Sequence, residues 1–567
     1  AHFDRLAEAP DAVPRLRRFI LDLAVRGKLV EQDSADEPVV SLLAKIQTNK
    51  KLRHASAKKS VQDDQRVPTE DIWFSVPMGW SAVHLSAVAN IVMGQSPPGS
   101  TYNRSREGVP LINGPVEFTA GPFGKTVTNQ YTTSPTNFCD AGDMLICVRG
   151  STTGRTNVAS FRACIGRGVA AVQPLYSDQF VRLCLVSMRR VIIAMGRGIA
   201  FPSVSKDQLA NLVIPFPPLA EQHRIVAKVD ELMALCDQLE AAQQERERRR
   251  DRLAAASLQR LNQPAEANPA TDQTEPAETR QQAQREQQKD HARFHLQNLN
   301  RLTSRPEHIK AMRQTILNLA VRGDLVRSAS SDGTAESLLT AIAATKAQIA
   351  KTGSIRKTAD LPPLPAQEAP FPLPRGWAWE RLGTVGYTQT GTTPPTSMPE
   401  CFGGKTPFVT PSDLTASVTT YVGKGLTKIG VKHSRLIAKN SVLMVCIGST
   451  IGKVNTVDRD ICCNQQINTL TPVVDGMAGY IAIALRSDFF QQLVVANAGM
   501  GTLPILSKGK WEMLPVPLPP LAEQHRIVAK VDELMALCGQ LETQLTQSQT
   551  DSRRLLEAVF EAALAPA

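Results

Sequence analysis

Residues 217–236 read Pro-Pro-Leu-Ala-Glu-Gln-His-Arg-Ile-Val-Ala-Lys-Val-Asp-Glu-Leu-Met-Ala-Leu-Cys, and residues 519–538 repeat the same twenty letters. Within the first copy and just beyond it, Ile225, Val229, Leu232, Cys236 and Leu239 follow a 4-3-4-3 spacing; Ile527, Val531, Leu534, Cys538 and Leu541 do the same in the second. Apolar residues at that spacing line one stripe of a helix and form a heptad seam suited to a helix–helix or partner interface. Pro217-Pro218 sets the helix start, and Glu221 stands in the first turn, where the helix dipole favours negative charge. Helices are expected over 219–262 and 521–564, each a rod of roughly 66 Å at ~1.5 Å per residue. The mixed-sign run Glu245–Arg252 reads as a solvated helix face.

Working outward, the whole chain proves to be written twice. Residues 17–30 (RRFILDLAVRGKLV) and 313–326 (RQTILNLAVRGDLV) agree at ten of fourteen positions, and both read as helices stopped by glycine, at Gly27 and Gly323. Weaker echoes keep the same order: Pro77-Met-Gly-Trp80 with Pro374-Arg-Gly-Trp377, Gly94-Gln-Ser-Pro-Pro98 with Gly391-Thr-Thr-Pro-Pro395, and Gly150-Ser-Thr-Thr-Gly154 with Gly448-Ser-Thr-Ile-Gly452. Each half is a helix–globule–helix unit. The divisions are a helical region at 1–71, a globule at 72–218, a long helix at 219–262, a connection at 263–306, a helical repeat and linker at 307–370, a second globule at 371–520 and a second long helix at 521–567. The helical pieces are near copies while the globules share only turns and punctuation, which suits one fold presenting two surfaces to two targets.

The 567 residues carry a net charge of +11 with 42% hydrophobic content, ordinary for a chain of several globular domains. The surplus is localised: 72–218 holds 12 Lys/Arg against 6 Asp/Glu, and 371–520 holds 13 against 8. Two separately basic globules fit a polyanionic partner, with counterion release as the driving term; a basic surface without function is the alternative that charge alone leaves open. Ten scattered cysteines without a C-x-x-C pair argue against structural zinc and against a disulfide scaffold, and read as buried thiols of a reducing cytoplasm. The opening His2, Asp4, Arg5 and Glu8 lack the apolar core of a signal peptide, and the best apolar run, Val181–Met195, is broken by Arg182, Arg189 and Arg190, so no membrane association is expected. Short β-branched runs such as Met144–Val148 and Val442–Ile447, separated by Gly and Pro turns, make each globule a mostly β, α+β domain.

Pro-x-Pro-Pro-Leu-Ala-Glu-Gln followed by an Ile-Val-x-Lys-Val-Asp heptad helix, at 215–230 and 517–532, resembles the conserved regions of type I restriction–modification specificity subunits. The segments before each helix are similar to that family's target recognition domains. The cues are Pro110–Gly114, Val148–Arg155 and Ile165–Gly168 in the first half, and Pro407–Leu414, Ile447–Lys453 and Cys463–Gln466 in the second. The resemblance implies two pseudo-repeated target recognition domains separated by long antiparallel coiled-coil helices. Each domain would read half of a bipartite, asymmetric duplex site. The resemblance also implies two modification subunits supplying S-adenosylmethionine and adenine-N6 methylation, and motor-nuclease subunits using ATP and Mg²⁺ for restriction. This chain itself would carry no cofactor, no metal and no catalytic residue.

The residues offer a route to DNA. A Gly-Ser-Thr-x-Gly-Arg/Lys turn after a buried strand presents free backbone N–H groups, hydroxyls and a cation, making Ser151, Thr152, Arg155, Ser449, Thr450 and Lys453 candidates. Arg149, whose place Ile447 takes in the second globule, can grip guanine in two bonds; Asn464, Gln465 and Gln466 suit adenine or else form an amide network holding a loop. Asn113, Arg167 and Thr410 sit in the matching motifs, and Arg104 and Lys405 follow the Pro-Pro turns as candidate backbone contacts. Trp80 and Trp377 read as core anchors at the domain entrance, and His223 and His525 as helix–helix contacts. The rival reading is a self-contained DNA methyltransferase or nuclease. The chain holds neither an Asn/Asp-Pro-Pro-Tyr/Phe loop nor a G-x-x-x-x-G-K-[ST] loop: Gly124-Lys125-Thr126 and Gly404-Lys405-Thr406 have Thr119 and Pro399 where the upstream glycine belongs.

Overall fold

Met144-Leu-Ile-Cys147 is a strand buried on both faces. Side chains alternate across it, so Met144 and Ile146 enter a core shared with helices while Leu145 and Cys147 enter another beneath a second sheet. Its counterpart Val442–Val445 does the same, with Val442 and Met444 on one side and Leu443 and Val445 on the other. Burial on both sides explains why these strands read as continuous apolar runs without polar alternation.

The chain, seen in a computed structural model, is described over residues 11–54, 67–72, 74–176, 178–198, 202–262, 291, 294, 298, 302–351, 361–415, 418–423, 425–499 and 503–564. Residues 263–290 of the connection expected at 263–306, and residues 352–360 of the helical repeat and linker expected at 307–370, lie outside the described residues. The chain divides into two units, residues 1–246 with 549–567, and residues 247–548.

The first unit is built on strands β1 (Ala89–Met93), β2 (Met144–Cys147), β3 (Thr156–Val158) and β4 (Val169–Pro174), antiparallel in the order β1-β4-β2-β3. The second repeats it with β5 (Gly386–Thr390), β6 (Val442–Val445), β7 (Val454–Thr456) and β8 (Ile467–Pro472), in the order β5-β8-β6-β7. Over the far face of the first sheet lies a five-stranded one, whose strands Val109–Ile112 and Ala163–Ile165 run parallel; the second unit has the matching parallel pair Phe408–Val409 and Cys462–Cys463. A ribbon closes each globule by pairing its first strand with its last, Ser81–His84 with Val213–Phe216 and Ala378–Arg381 with Pro515–Leu518.

The helices are α1 (Ala12–Val25), α2 (Asp178–Ser187), α3 (Leu219–Asn262), α4 (Pro306–Arg322), α5 (Met477–Arg486) and α6 (Leu521–Leu564). In the first unit Ile225, Val229 and Cys236 are buried against Ile20, Leu21 and Ala24 of α1 and Phe180 of α2, with Leu232 and Leu239 flanking. In the second, Ile527, Val531 and Cys538 meet Ile316, Ala320 and Val321 of α4 and Tyr480 of α5, with Leu534 and Leu541 flanking. Over these residues the partner of each seam is therefore the short helix of its own repeat together with its globule. That short helix also receives the tail of a long helix. Phe560 of α6 stacks on Phe19 of α1, with ring centroids 4.3 Å apart, and Glu557 pairs with Arg15 at 2.8 Å. In the second unit Glu247 and Asp251 of α3 meet Arg305 and His308 at the start of α4, each at 3.0 Å.

The verbatim repeat now acquires reasons letter by letter. Glu523 accepts hydrogen bonds from Trp377 Nε1 at 3.0 Å and from Ser328 at 2.8 Å, so the tryptophan pins its globule to the long helix. Trp80 is buried at the same place beside Glu221, whose carboxyl is pushed up by burial. Gln222 and Gln524 donate back to Pro217 O and Pro519 O, closing the helix start. With the Glu and Gln turned inward, His223 and His525 lie on the more exposed side of their helices, and the His525 ring sits against Gly476 at the start of α5.

Arg224 forks onto Asp36 and Arg526 onto Asp332, and the two carboxylates are only 8% and 5% exposed. Each guanidinium holds its aspartate below the usual carboxylate range. Stability from the pairs is therefore full above the unfolded-state pKa of ~3.9 and is lost as pH falls through it towards the folded-state value. Thermal unfolding should show this acid limb, and Arg526→Ala should make it shallower; an unchanged limb would remove the pair from the account.

Candidate nucleic-acid interface

The turn leaving β2 reverses the chain into β3 through two glycines in the left-handed region, Gly150 (φ 84°) and Gly154 (φ 78°), a conformation that L side chains resist. Gly448 and Gly452 do this after β6. The reversal is closed by Gly154 N–H to Cys147 O and Cys147 N–H to Arg155 O, both 2.8 Å, and by the matching pair between Val445 and Gly452 or Lys453, both 2.9 Å. This narrows one expectation. The N–H groups of Gly150, Thr153, Gly154 and Arg155 are donated to the protein's own carbonyls, that of Gly150 to Pro202 O of a distant segment, which leaves those of Ser151 and Thr152 without an acceptor among the described residues. What faces outward is the exposed Ser151 and Ser449 with the half-buried Thr152 and Thr450.

The cations of the two turns diverge. Lys453 is exposed, whereas Arg155 folds back, its Nη2 donating to Phe118 O at 3.2 Å with the guanidinium 6.0 Å from the Phe118 ring. The 115–119 stretch presents carbonyls there that need a donor, so Arg155 braces a loop.

Neighbouring loops are stitched to this corner. In the first unit Val148 N–H reaches Gly168 O at 2.9 Å, Gly166 N–H reaches Ile112 O at 2.8 Å, and Gln95 N–H reaches Ile165 O at 2.9 Å. Residues 94–96, 113–114 and 166–168 are thereby gathered beside the turn. Gly94 is obligatory, since a Cβ there would collide with the backbone of Gly166 and Val169. Asn113 is half-buried and donates to Gln130 at 3.1 Å; Arg167 is exposed, with its N–H held by Ser96 Oγ at 3.1 Å.

In the second unit Cys446 N–H to Gln466 O and Asn464 N–H to Val409 O, at 2.8 and 3.1 Å, bring Thr410 and Asn464–Gln466 to the matching place. Asn464 donates to Gln466 Oε1 at 2.8 Å and Gln466 donates to Ile447 O, so these two form the loop-holding amide network. Thr410 is tied to Asp413. Gln465 is exposed, its Oε1 accepting from Thr393 at 2.6 Å. Arg104 and Lys405 are exposed; Arg104 follows the edge strand Tyr102–Asn103 of the five-stranded sheet, and Lys405 lies in the strand Phe402–Thr406.

One part of the corner escaped sequence reasoning. Residues 202–204 lie alongside 148–149, with Val204 N–H to Val148 O at 2.9 Å, and Arg197 exchanges both backbone bonds with Ser203. The echo Pro202-Ser-Val-Ser205 with Pro504-Ile-Leu-Ser507 was the available signal. The side chains of Arg149, Arg167 and Arg197 are exposed and have no hydrogen-bond or ion-pair partner among the described residues. Among the described residues no group of three His, Cys, Asp or Glu could hold a metal, and no helix is long and apolar enough to cross a membrane.

Two copies of one β-rich domain, each pinned to its own long helix and each ending in a loop corner of different chemistry, define a duplicated recognition subunit. The family model for the type I restriction modification DNA specificity domain matches residues 77–247 and 374–548. The chain is 27% identical, over 97% of its length and 94% of the relative's, to the type I restriction enzyme EcoAI specificity subunit of Escherichia coli. It is 28% identical, with the same coverage, to the EcoEI specificity subunit of that organism. The crystal structure of an HsdS subunit from Thermoanaerobacter tengcongensis is 30% identical over 41% of this chain and 52% of that one, at a TM-score of 0.27. The chain belongs to the type I restriction–modification DNA specificity family. It is a non-catalytic recognition subunit of a class that associates with DNA and with methyltransferase and restriction subunits, and the comparisons lend nothing to the rival of a self-contained enzyme.

Proposed function

We propose that this chain reads a bipartite, asymmetric duplex site, one half with each globule, in a cytoplasmic complex with two copies of a modification subunit. Partner subunits supply S-adenosylmethionine for adenine methylation, and ATP and Mg²⁺ for restriction. The carrying observation is the loop corner itself: the same backbone occurs in both units with different exposed side chains, which is what two readers of different half-sites require. Two copies of one partner are supported by the surface of the repeat. Ala227, Asp230, Glu231, Ala234 and Leu235 are exposed, as are Ala529, Asp532, Glu533, Ala536 and Leu537. Core packing does not demand identity at exposed positions, and one surface presented twice fits one protein bound twice.

Methylome sequencing of cells with and without this chain tests the reading: a two-part motif should vanish when the chain is removed, and a single contiguous motif would overturn it. Inserting seven helical residues after Arg246 and after Ser548 should lengthen the gap by ~10 Å, about three base pairs, with the half-site letters intact. Altered letters would count against the helices as spacers.

A further inference from the structure

The corner contains a row that differs completely between the two units. Arg149 is bridged antiparallel to Ser203, and Ser203 is bridged antiparallel to Arg197 on its other side. Directly paired residues of antiparallel strands project to the same face. Arg149 and Arg197 therefore stand on one face with a serine between them, their Cα atoms roughly 10 Å apart across two strand spacings. In the second unit Ile447 is bridged to Ile505, and Gly499 N–H bonds to Ile505 O at 3.0 Å. The row Arg–Ser–Arg becomes Ile–Ile–Gly. Ile505 is 48% exposed and the nearby Leu503 51% exposed, an apolar cluster left open beside the exposed Gln465 and Ser449.

We infer that this row is a specificity determinant, reading guanine in the half-site of the first unit and the thymine methyl group in that of the second. The inference rests on the DNA-reading function proposed above and adds which base each unit selects. Guanine offers two acceptors, N7 and O6, on its major-groove edge, and a planar guanidinium matches both; Arg149 and Arg197 are unpartnered among the described residues and free to do so. Thymine alone carries a methyl group on that edge, and the exposed Ile505, backed by the half-buried Ile447, loses water by packing on it. Gln465, its amide oriented by Thr393, is placed beside the apolar row to take the adenine of a neighbouring A·T pair. Phosphate contact does not account for the second unit, where the row holds no cation.

The complex reconstituted with its partner subunits is assayed on the motif that the methylome defines. Arg149→Ala should relax a guanine position in one half-site by about tenfold, the scale of a bidentate base contact. Ile505→Ser should relax a thymine position in the other half-site by about threefold, the scale of one buried methyl group. The unaltered protein supplies an independent readout: 7-deazaguanine in the first half-site and uracil in place of thymine in the second should weaken binding by similar factors, each at one position. Uniform loss on all sequences after Arg149→Ala, full tolerance of uracil, or both variants acting on the same half-site would overturn the inference. A wild-type complex that methylates no two-part motif would instead overturn the function on which it rests.

Discussion

Trp511→Ala is expected to destabilise the second unit by about 3–5 kcal/mol, the range for deleting a fully buried aromatic side chain. Trp511 is 0% exposed, packs in the core with Leu382, Met444 and Leu514, and directs its Nε1 at Met444 Sδ, 3.1 Å away. Met444 belongs to β6, the strand that delivers the Gly448–Gly452 turn, so a cavity at Trp511 loosens the support of the loop corner as well as the core. Denaturant unfolding of the full chain measures the loss; a change under about 1 kcal/mol would mean that the surrounding side chains close over the gap. Methylation by the assembled complex should weaken with it as temperature rises.

Ile527→Asp should be costlier still, about 4–5 kcal/mol, because it places a carboxylate at a position with no exposure among the apolar side chains of the core. Ile527 lies where α6, α4 and Trp377 meet, so the substitution attacks the attachment of the globule to its helix. Leu537→Asp, on the same helix but 46% exposed, serves as the control and should change stability by no more than about 0.5 kcal/mol. Thermal melts of the two variants side by side decide the matter: equal midpoints would contradict the buried seam.

Much of this architecture was legible because duplication advertises itself. Two identical segments of twenty residues, with Ile, Val, Leu and Cys at heptad spacing, are enough to place both long helices, which run Leu219–Asn262 and Leu521–Leu564. Gly150, Gly154, Gly448 and Gly452 were likewise readable as turns, since few other residues accept positive φ. The sheet order was not legible. The central strands are buried on both faces, and a continuous apolar run carries no record of which neighbour it pairs with.

The candidate site divides the same way. Arg149, Ser151, Ser449 and Lys453 are exposed at the corner, where motif position placed them, while Arg155, Asn464 and Gln466 are engaged with their own loops. Residue type announces hydrogen-bonding capacity but does not say whether a nearby carbonyl already occupies it. Arg197 and Ile505 were missed because they reach the corner from about fifty residues downstream of the turn.

From its letters alone, then, this chain determined its duplication, its long helices, its paired basic globules and its family, because repetition, periodicity and charge are properties of order along a line. Only the tertiary structure decided which elements pack against the heptad seams, which polar groups are spoken for and which side chains share a face. Those are set by backbone hydrogen bonds between distant segments, and a row such as Arg149, Ser203 and Arg197 exists only once three stretches of chain lie side by side.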